Sequence, residues 1–186
     1  MRSIFLSLLG LLLAVSCQNS QSLFLENQED WIEQGDAQWE FLNGELTGKV
    51  KDEQVGYVIT NQKFKNFQLE LEFKPDDTIN SGVFIRCNSY EMSADNCYEV
   101  NIWDLHPNQD FRTGSVVKKE KPMAKVETNN KWNTYKIKIE NDHLQIWVNE
   151  ILTIDMLDST LTEGYIGLQA SGTGAISFRN VKISSL

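Results

Sequence analysis

The dominant pattern along the chain is a strict alternation of apolar and polar residues. In the segment FQLELEFK (67–74), the phenylalanines and leucines fall on one face and the polar residues on the other. A period of two is typical of strands that bury one face in an antiparallel sheet. The segments YKIKIEN (135–141) and HLQIWVN (143–149) repeat the pattern, and Asn141-Asp142 between them is a turn signal.

Many other short segments have the composition of strands, and no segment predicts a long helix. Further strands are predicted at residues 38–41, 45–50, 56–60, 82–86, 97–103, 114–117, 151–154, 164–170 and 175–183. In the last of these the apolar phase slips by one residue between Phe178 and Val181, which predicts a β-bulge. Many short strands separated by turn signals favour a sandwich of antiparallel sheets.

The first 16 residues break this pattern and resemble a secretory signal. Arg2 precedes a short apolar run at 4–15, which is too short for a membrane-spanning helix. The run ends in Leu-Ala-Val-Ser-Cys, which resembles a bacterial lipobox, so Cys17 is predicted to be lipidated. The alternative is an ordinary cleaved signal peptide. Residues 17–28 are then the lipidated cysteine and its tether, and 29–186 form one domain.

Composition and charge limit the classes of molecule that the protein is expected to bind. The formal net charge is −9 and no basic cluster offsets it, which argues against nucleic-acid binding. We expect an exported, lipid-anchored protein that faces the periplasm or lies on the outer-membrane surface, and that touches the membrane through its lipid only. In such an oxidising compartment Cys87 and Cys97 are predicted to form a disulfide, with a structural metal site as the weaker alternative.

The alternation also predicts which side chains point away from the core. They include Arg86, Glu99, Asn101, Trp103, Trp147, Tyr165 and Gln169. If their strands share one sheet, these residues form a curved polar surface studded with aromatic rings. Such a surface suits sugars, because aromatic rings stack on the C–H faces of pyranoses while amides and carboxylates bond the hydroxyls. The alternative is a solvated outer sheet with scattered aromatic residues.

Several sequence blocks, taken in order, resemble one known family. The blocks are NSGVFIR (80–86), YEVNIWD (98–104), TGSVV (113–117), KWNTYKIKI (131–139) and IGLQASGTGAISFRNVKI (166–183). Their order and spacing resemble the 3-keto-disaccharide hydrolase family (DUF1080), also described as 3-keto-glucoside lyase/hydratase domains. The resemblance implies an all-β fold, a concanavalin/laminin-G-like jelly-roll sandwich of two antiparallel sheets. It also implies action on oxidised disaccharides or related oligosaccharides.

The chemistry implied by this resemblance begins with a ketone at C3 that acidifies the neighbouring C2 hydrogen. A base then removes that proton and the C1 substituent departs, which requires a base, an enolate partner and an acid. The matching blocks suggest Glu99 as base or sugar anchor, Arg86 as enolate partner, Asp104 with His106 as acid/base groups or metal ligands, and Trp103 as a stacking wall. Structural roles are the alternative for each: a Glu99–Arg86 pair, a turn cap at Asp104 and an exposed His106.

The remaining outward residues complete the predicted substrate site. These are Asn101, Trp147, Gln169 and Tyr165. No cofactor is certain, and a divalent metal stays an alternative whose ligands the sequence does not identify.

One departure from the family keeps other functions open. Many members carry Q-x-H-G where this chain has Gln169-Ala170-Ser171-Gly172, so Ser171 replaces a histidine. This departure supports a non-catalytic carbohydrate-binding module as the alternative. A laminarinase-like retaining glycosidase is a third hypothesis, because Glu99-x-Asn101-x-x-Asp104 loosely resembles the acidic motif of those enzymes.

Overall fold

The computed structural model describes residues 20–25 and 31–186, and the predicted signal peptide and Cys17 lie outside them. The strands are β1 Ser20–Ser22, β2 Trp31–Gly35, β3 Gln38–Leu42, β4 Glu45–Thr60, β5 Phe67–Pro75, β6 Ile79–Cys87, β7 Tyr98–Ile102, β8 Asn133–Glu140, β9 His143–Val148, β10 Ile151–Leu157 and β11 Tyr165–Ser185. A single 3-10 turn, Gln109–Phe111, interrupts the described loops. Within the described ranges, no helix is long and apolar enough to cross a membrane.

The strands form two antiparallel sheets that share two long strands. The front sheet has the order β7, β6, first half of β11, second half of β4, and β2. The back sheet has the order β10, β9, β8, β5, second half of β11, first half of β4, and β3, and β1 pairs with the end of β11. The all-β antiparallel sandwich predicted from the sequence is therefore confirmed.

Three details of the strand prediction change in the structure. The segments predicted at 45–50 and 56–60 are one bent strand, β4, and those at 164–170 and 175–183 are one strand, β11. Residues 114–117 only bridge to β7 through Val116 and Val100, so they are not a regular strand. The predicted bulge is confirmed, since the β11–β5 register shifts between Arg179 and Lys182.

The apolar positions of both sheets meet in one core. It holds Val83, Val100 and Leu168 from the front sheet and Leu69 and Ile137 from the back sheet, all fully buried. Each such side chain contributes roughly 1.5–3 kcal/mol when it leaves water. A polar link crosses this core: the Tyr135 hydroxyl of β8 donates to the carbonyl of Asn101 in β7 and accepts from the amide of Gly114.

The sandwich has two ends that matter for the site. At the first, which we call the Arg86 end, Tyr165 pairs with Cys87 in the front sheet. At the second, the Gly172 end, Gly172 pairs with Ile79 and β11 bends into the back sheet. The strand then returns to the Arg86 end, where the amide of Leu186 donates to the carbonyl of Asn66.

Arg86 closes the first end. Its backbone has a positive φ of 51°, where the β6–β11 register shifts, and this turns its side chain away from the outer face and into the end of the sandwich. All five guanidinium N–H bonds are used, with the carbonyls of Lys65, Asn141 and Leu161 and the side-chain oxygen of Asn66 as acceptors. Burial lowers the pKa of this guanidinium, and the oxygens around it offset the loss of water.

We predict that Arg86→Lys destabilises the protein by about 3 kcal/mol or more, because an ammonium has only three donors and leaves buried carbonyl oxygens unpaired. Chemical denaturation of both proteins measures the difference in free energy of unfolding. The control is Arg179→Lys, whose partly exposed side chain pairs with Glu72 and should cost within about 1 kcal/mol. Equal effects of the two substitutions would contradict the structural role of Arg86.

Candidate functional site

The outward face of the front sheet, which we call the front face, carries the polar residues of interest in cross-strand rows. The first row, nearest the Arg86 end, is Glu99, Phe84, Gly167, Ile59 and Ile32; the middle row is Asn101, Gly82, Gln169, Tyr57 and Gln34; the third row includes Asn80, Ser171 and Val55. These residues alternate with the core residues of the same strands, so the hydrophobic pattern of each strand sets their direction.

Glu99 lies next to a glycine on this face. Gly82 pairs with Asn101, and a Cβ atom built on Gly82 would lie 3.6 Å from Cγ of Glu99. A side chain at this position would press on the carbonyl of Val100 and on the Phe84 ring, so the sheet beside the carboxyl group requires a glycine.

The surroundings of Glu99 change its acidity. Burial raises the pKa of its carboxyl to about 7, and the positive charge of Lys118 opposes this shift. Lys118 is held close by the backbone, since the amide of the preceding Val117 donates to the carbonyl of Glu99. A carboxyl group with a pKa near neutrality exchanges protons readily at physiological pH, as a general base must.

Two further polar side chains complete the middle row. The Gln169 amide nitrogen donates to the Tyr57 hydroxyl over 3.3 Å, and the Tyr57 ring meets the edge of Phe84 at a centroid distance of 5.6 Å. Burial and the nearby charge of Glu99 raise the pKa of Tyr57, so its hydroxyl keeps its proton. The side-chain oxygens of Gln169 and Asn101 are buried without a protein partner among the described residues. Buried oxygens of this kind usually accept hydrogen bonds from an ordered water molecule or from a ligand.

A disulfide-bonded loop covers the front face at the Arg86 end. Cys87 and Cys97 are joined by a disulfide, so residues 88–96 form a short closed loop. Met92 lies over the first row, where a Cβ atom on Gly167 would come within 2.9 Å of its sulfur. Tyr90 stacks on Tyr165 at a centroid distance of 4.4 Å. The loop therefore walls off this end of the face.

The opposite end of the front face is open. Phe84 and Ile59 of the first row are fully buried beneath the loop, whereas Asn80, Ser171 and Val55 of the third row are partly exposed. The front face is therefore less covered at the Gly172 end than beneath the loop.

The structure does not bring all predicted site residues together. Arg86 does not face Glu99, because its positive φ directs it into the end of the sandwich, where oxygens of neighbouring loops hold it. Trp147 lies on β9 of the back sheet, where Lys136 stands 4.0 Å over its ring. These two expectations are corrected: alternation correctly predicts that Trp147 faces outward, but on the other side of the molecule. Glu99, Gln169 and Tyr165 do lie on the front face.

The predicted Asp104–His106 pair is also not formed. Asp104 is 4 % exposed, accepts hydrogen bonds from the amide and hydroxyl of Thr128, and lies 3.6 Å from Arg112. It therefore fixes a loop and is not free to act as the second carboxyl of a retaining glycosidase.

The His106 ring contacts the ring of Trp103 at a centroid distance of 4.6 Å, and its Nδ1 bonds the backbone of Asn108. Asn101 donates to the carbonyl of Phe111, so its amide anchors the loop beside β7. The described residues contain no group of three or more His, Cys, Asp or Glu side chains that could hold a metal ion.

Tyr57 is the front-face residue that the sequence analysis missed. The segment GYVIT (56–60) has the same alternation as its neighbours, with Val58 in the core and Tyr57 and Ile59 outward. The signal was therefore present, but only the pairing of β4 with β11 brings Tyr57 next to Gln169.

The sequence of residues 19–184 matches the pattern of the 3-keto-alpha-glucoside-1,2-lyase-like domain family. The chain belongs to this family. No curated protein matches it. The family match begins before residue 20, and Leu23 and Phe24 are buried against the sandwich. Residues 20–24, which the sequence analysis assigned to the tether, therefore pack on the sandwich.

Solved structures of carbohydrate-related proteins share the fold. A proposed glycosyl hydrolase from Parabacteroides distasonis aligns over 90 % of this chain and 100 % of its own, with a TM-score of 0.74 and 27 % identity. The carbohydrate binding module CBM66 from Bacillus subtilis aligns over 82 % of this chain and 95 % of its own, with a TM-score of 0.64 and 20 % identity. A β-glucanase from Bacillus licheniformis aligns over 90 % and 97 %, with a TM-score of 0.65 and 14 % identity. This member of the family therefore has the jelly-roll fold found in these carbohydrate-related proteins.

The raised pKa of Glu99 predicts a pH-dependent effect of Glu99→Gln on stability. Folding favours the protonated carboxyl, so the wild-type protein loses stability relative to the variant as pH rises from the ordinary pKa of 4.5 to about 7. Above that range the variant should be more stable by up to about 3 kcal/mol, and below pH 4 the gap should close. Denaturation curves at several pH values measure it. Glu163→Gln, at an exposed carboxyl, is the control, and a gap independent of pH would contradict the prediction.

Proposed function

We propose that this domain cleaves 3-keto-glycosides by β-elimination, with Glu99 as the general base. The observation that carries the proposal is a carboxyl group on the open front face whose pKa is raised to about 7. A base with this pKa is half ionised at neutral pH and can both take up and release a proton. The family match and the 27 %-identical glycosyl hydrolase support a carbohydrate substrate.

The reaction follows from the acidity of the sugar. The ketone at C3 acidifies the hydrogen at C2, and the Glu99 carboxylate removes it as a proton. The electron pair of the C–H bond moves toward the C3 oxygen to give an enolate. When the enolate collapses, a C1–C2 double bond forms and the C1–oxygen bond breaks, so that its electrons leave with the glycosidic oxygen. That oxygen takes a proton from water or from Glu99. Addition of water to the enone then completes a net hydrolysis.

Tyr57 and Gln169 are the proposed partners of the developing negative charge. Tyr57 keeps its proton because burial raises its pKa, so its hydroxyl can donate to an enolate oxygen. Gln169 has an amide group that already reaches Tyr57 at 3.3 Å and can orient a sugar hydroxyl. These residues take the role that the sequence analysis gave to Arg86.

We predict that Glu99→Gln lowers kcat on 3-keto-trehalose by about a hundredfold or more, because an amide cannot accept the C2 proton. For the wild-type protein, kcat/KM should rise with pH through about 7, as the carboxylate forms. Absorbance of the enone product, or release of free sugar, measures turnover with and without a chelator. Glu163→Gln is the matched control and should keep wild-type activity. Turnover that is unchanged in Glu99→Gln would rule out Glu99 as the base.

A non-catalytic carbohydrate-binding role is the second candidate, and one observation favours it. Ser171 takes the place of the histidine that many family members carry, and it lies in the third row of the front face beside Asn80. Relatives with the same fold include a carbohydrate binding module. Binding of unmodified glucosides, weakened by Tyr57→Ala, together with no turnover of the 3-keto substrate would favour this role.

We also propose that Cys17 is lipidated and anchors an exported protein to a membrane. The support is the apolar run at 4–15 that ends in Leu-Ala-Val-Ser-Cys. In cells fed a labelled fatty acid, the full-length chain should incorporate label and fractionate with membranes. Cys17→Ser should lose both properties, while an unrelated change such as Glu163→Gln should keep them. Labelling that survives Cys17→Ser would overturn the proposal.

A further inference from the structure

The chain enters the folded domain at the Arg86 end. In β1, Ser20 pairs with Ser184 and Ser22 with Lys182, so the strand runs inward from the Arg86 end of the back sheet. The amide of Leu23 donates to the carbonyl of Val181, and Gln62 of the β4–β5 loop reaches Gln21. Leu23 and Phe24 are 4 % and 3 % exposed, so buried apolar contacts hold this segment in place.

Very little chain separates this entry point from the proposed lipid. Three residue steps lead from Cys17 to Ser20, and even fully extended they span only about 10 Å. The predicted tether would have reached much further, but its residues 20–22 are strand β1. A lipid inserted in a bilayer must therefore hold the Arg86 end close to the lipid headgroups.

The two ends of the sandwich are well separated. The back-sheet half of β11 runs from Ala175 near the Gly172 end to Ser185 at the Arg86 end. Ten residues at about 3.3 Å each make this distance about 30 Å, which is several times the reach of the tether. The Gly172 end thus lies beyond the reach of the short segment that links the lipid to the domain.

We propose that the lipid holds the Arg86 end against the bilayer surface, so that the front face opens away from the membrane. The inference depends on the proposed lipidation of Cys17 and is independent of Glu99 chemistry. The wall formed by residues 88–96 and Tyr165 stands on the membrane side of the face, and the third row with Asn80 and Ser171 stands on the far side. A long carbohydrate would therefore reach Glu99 from the medium.

Two turns at opposite ends allow a direct test. Asp142 lies in the exposed β8–β9 turn at the Arg86 end, and Thr173 is exposed in the bend of β11 at the Gly172 end. The natural cysteines are Cys17 and the Cys87–Cys97 disulfide, so a cysteine introduced at either turn is the single free thiol of the lipidated chain. Asp142→Cys and Thr173→Cys can each carry a small fluorophore.

The experiment uses the full lipidated chain in vesicles of phosphatidylcholine that contain headgroup-nitroxide lipid. Fluorescence at Asp142→Cys should be quenched several-fold more than fluorescence at Thr173→Cys. Equal quenching, or stronger quenching at Thr173→Cys, with the protein bound to vesicles would overturn the orientation while leaving lipidation intact. Failure to bind vesicles, or binding retained by Cys17→Ser, would overturn both. Loss of sugar turnover would affect neither result.

Discussion

The buried guanidinium of Arg86 joins both sheets of the sandwich at one end. Its acceptors come from the loops that connect β4 to β5, β8 to β9 and β10 to β11, and none of these oxygens belongs to a carboxylate. The guanidinium holds the three loops in place, because a loop that moved away would leave a buried N–H group without a hydrogen-bond acceptor. Cys87 comes directly after Arg86 in the sequence, so the fixed position of Arg86 also sets where the disulfide-bonded loop begins.

That loop determines the electrostatic character of the front face. Met92, Phe84 and the disulfide form a small apolar cluster apart from the main core, and it lies beside Glu99. The apolar surroundings keep water away from the carboxyl and raise its pKa, while the Glu99 side chain stays partly exposed on the front face. Exclusion of water on one side and access on the other are the conditions under which a carboxyl group becomes an effective base.

Alternation predicted most strands and the sandwich, because a period of two directly encodes which side chains are buried. It missed β1 and β2, and it predicted a strand at 114–117 where the structure has only a bridge. It also placed Glu99 and Gln169 on an outer face. It did not reveal which sheet each strand joins, and therefore Trp147 was grouped with residues on the opposite side. A single bulge with a positive φ at Arg86 reversed one side chain, and the pairing of β4 with β11 created the Tyr57–Gln169 contact. The direction of Arg86 and the Tyr57–Gln169 contact both depend on pairing between distant strands, which a local sequence pattern does not encode.

The shared strands β4 and β11 have a consequence for motion. Each of these strands continues from one sheet into the other, and the two strands are hydrogen-bonded to each other in both sheets. The sheets are therefore linked both by the backbone and by hydrogen bonds. Hinge or shear movement of one sheet over the other would break that ladder. Any adjustment to a bound ligand must then come from the loops at the edge of the sandwich, and the strands beneath behave as a rigid platform.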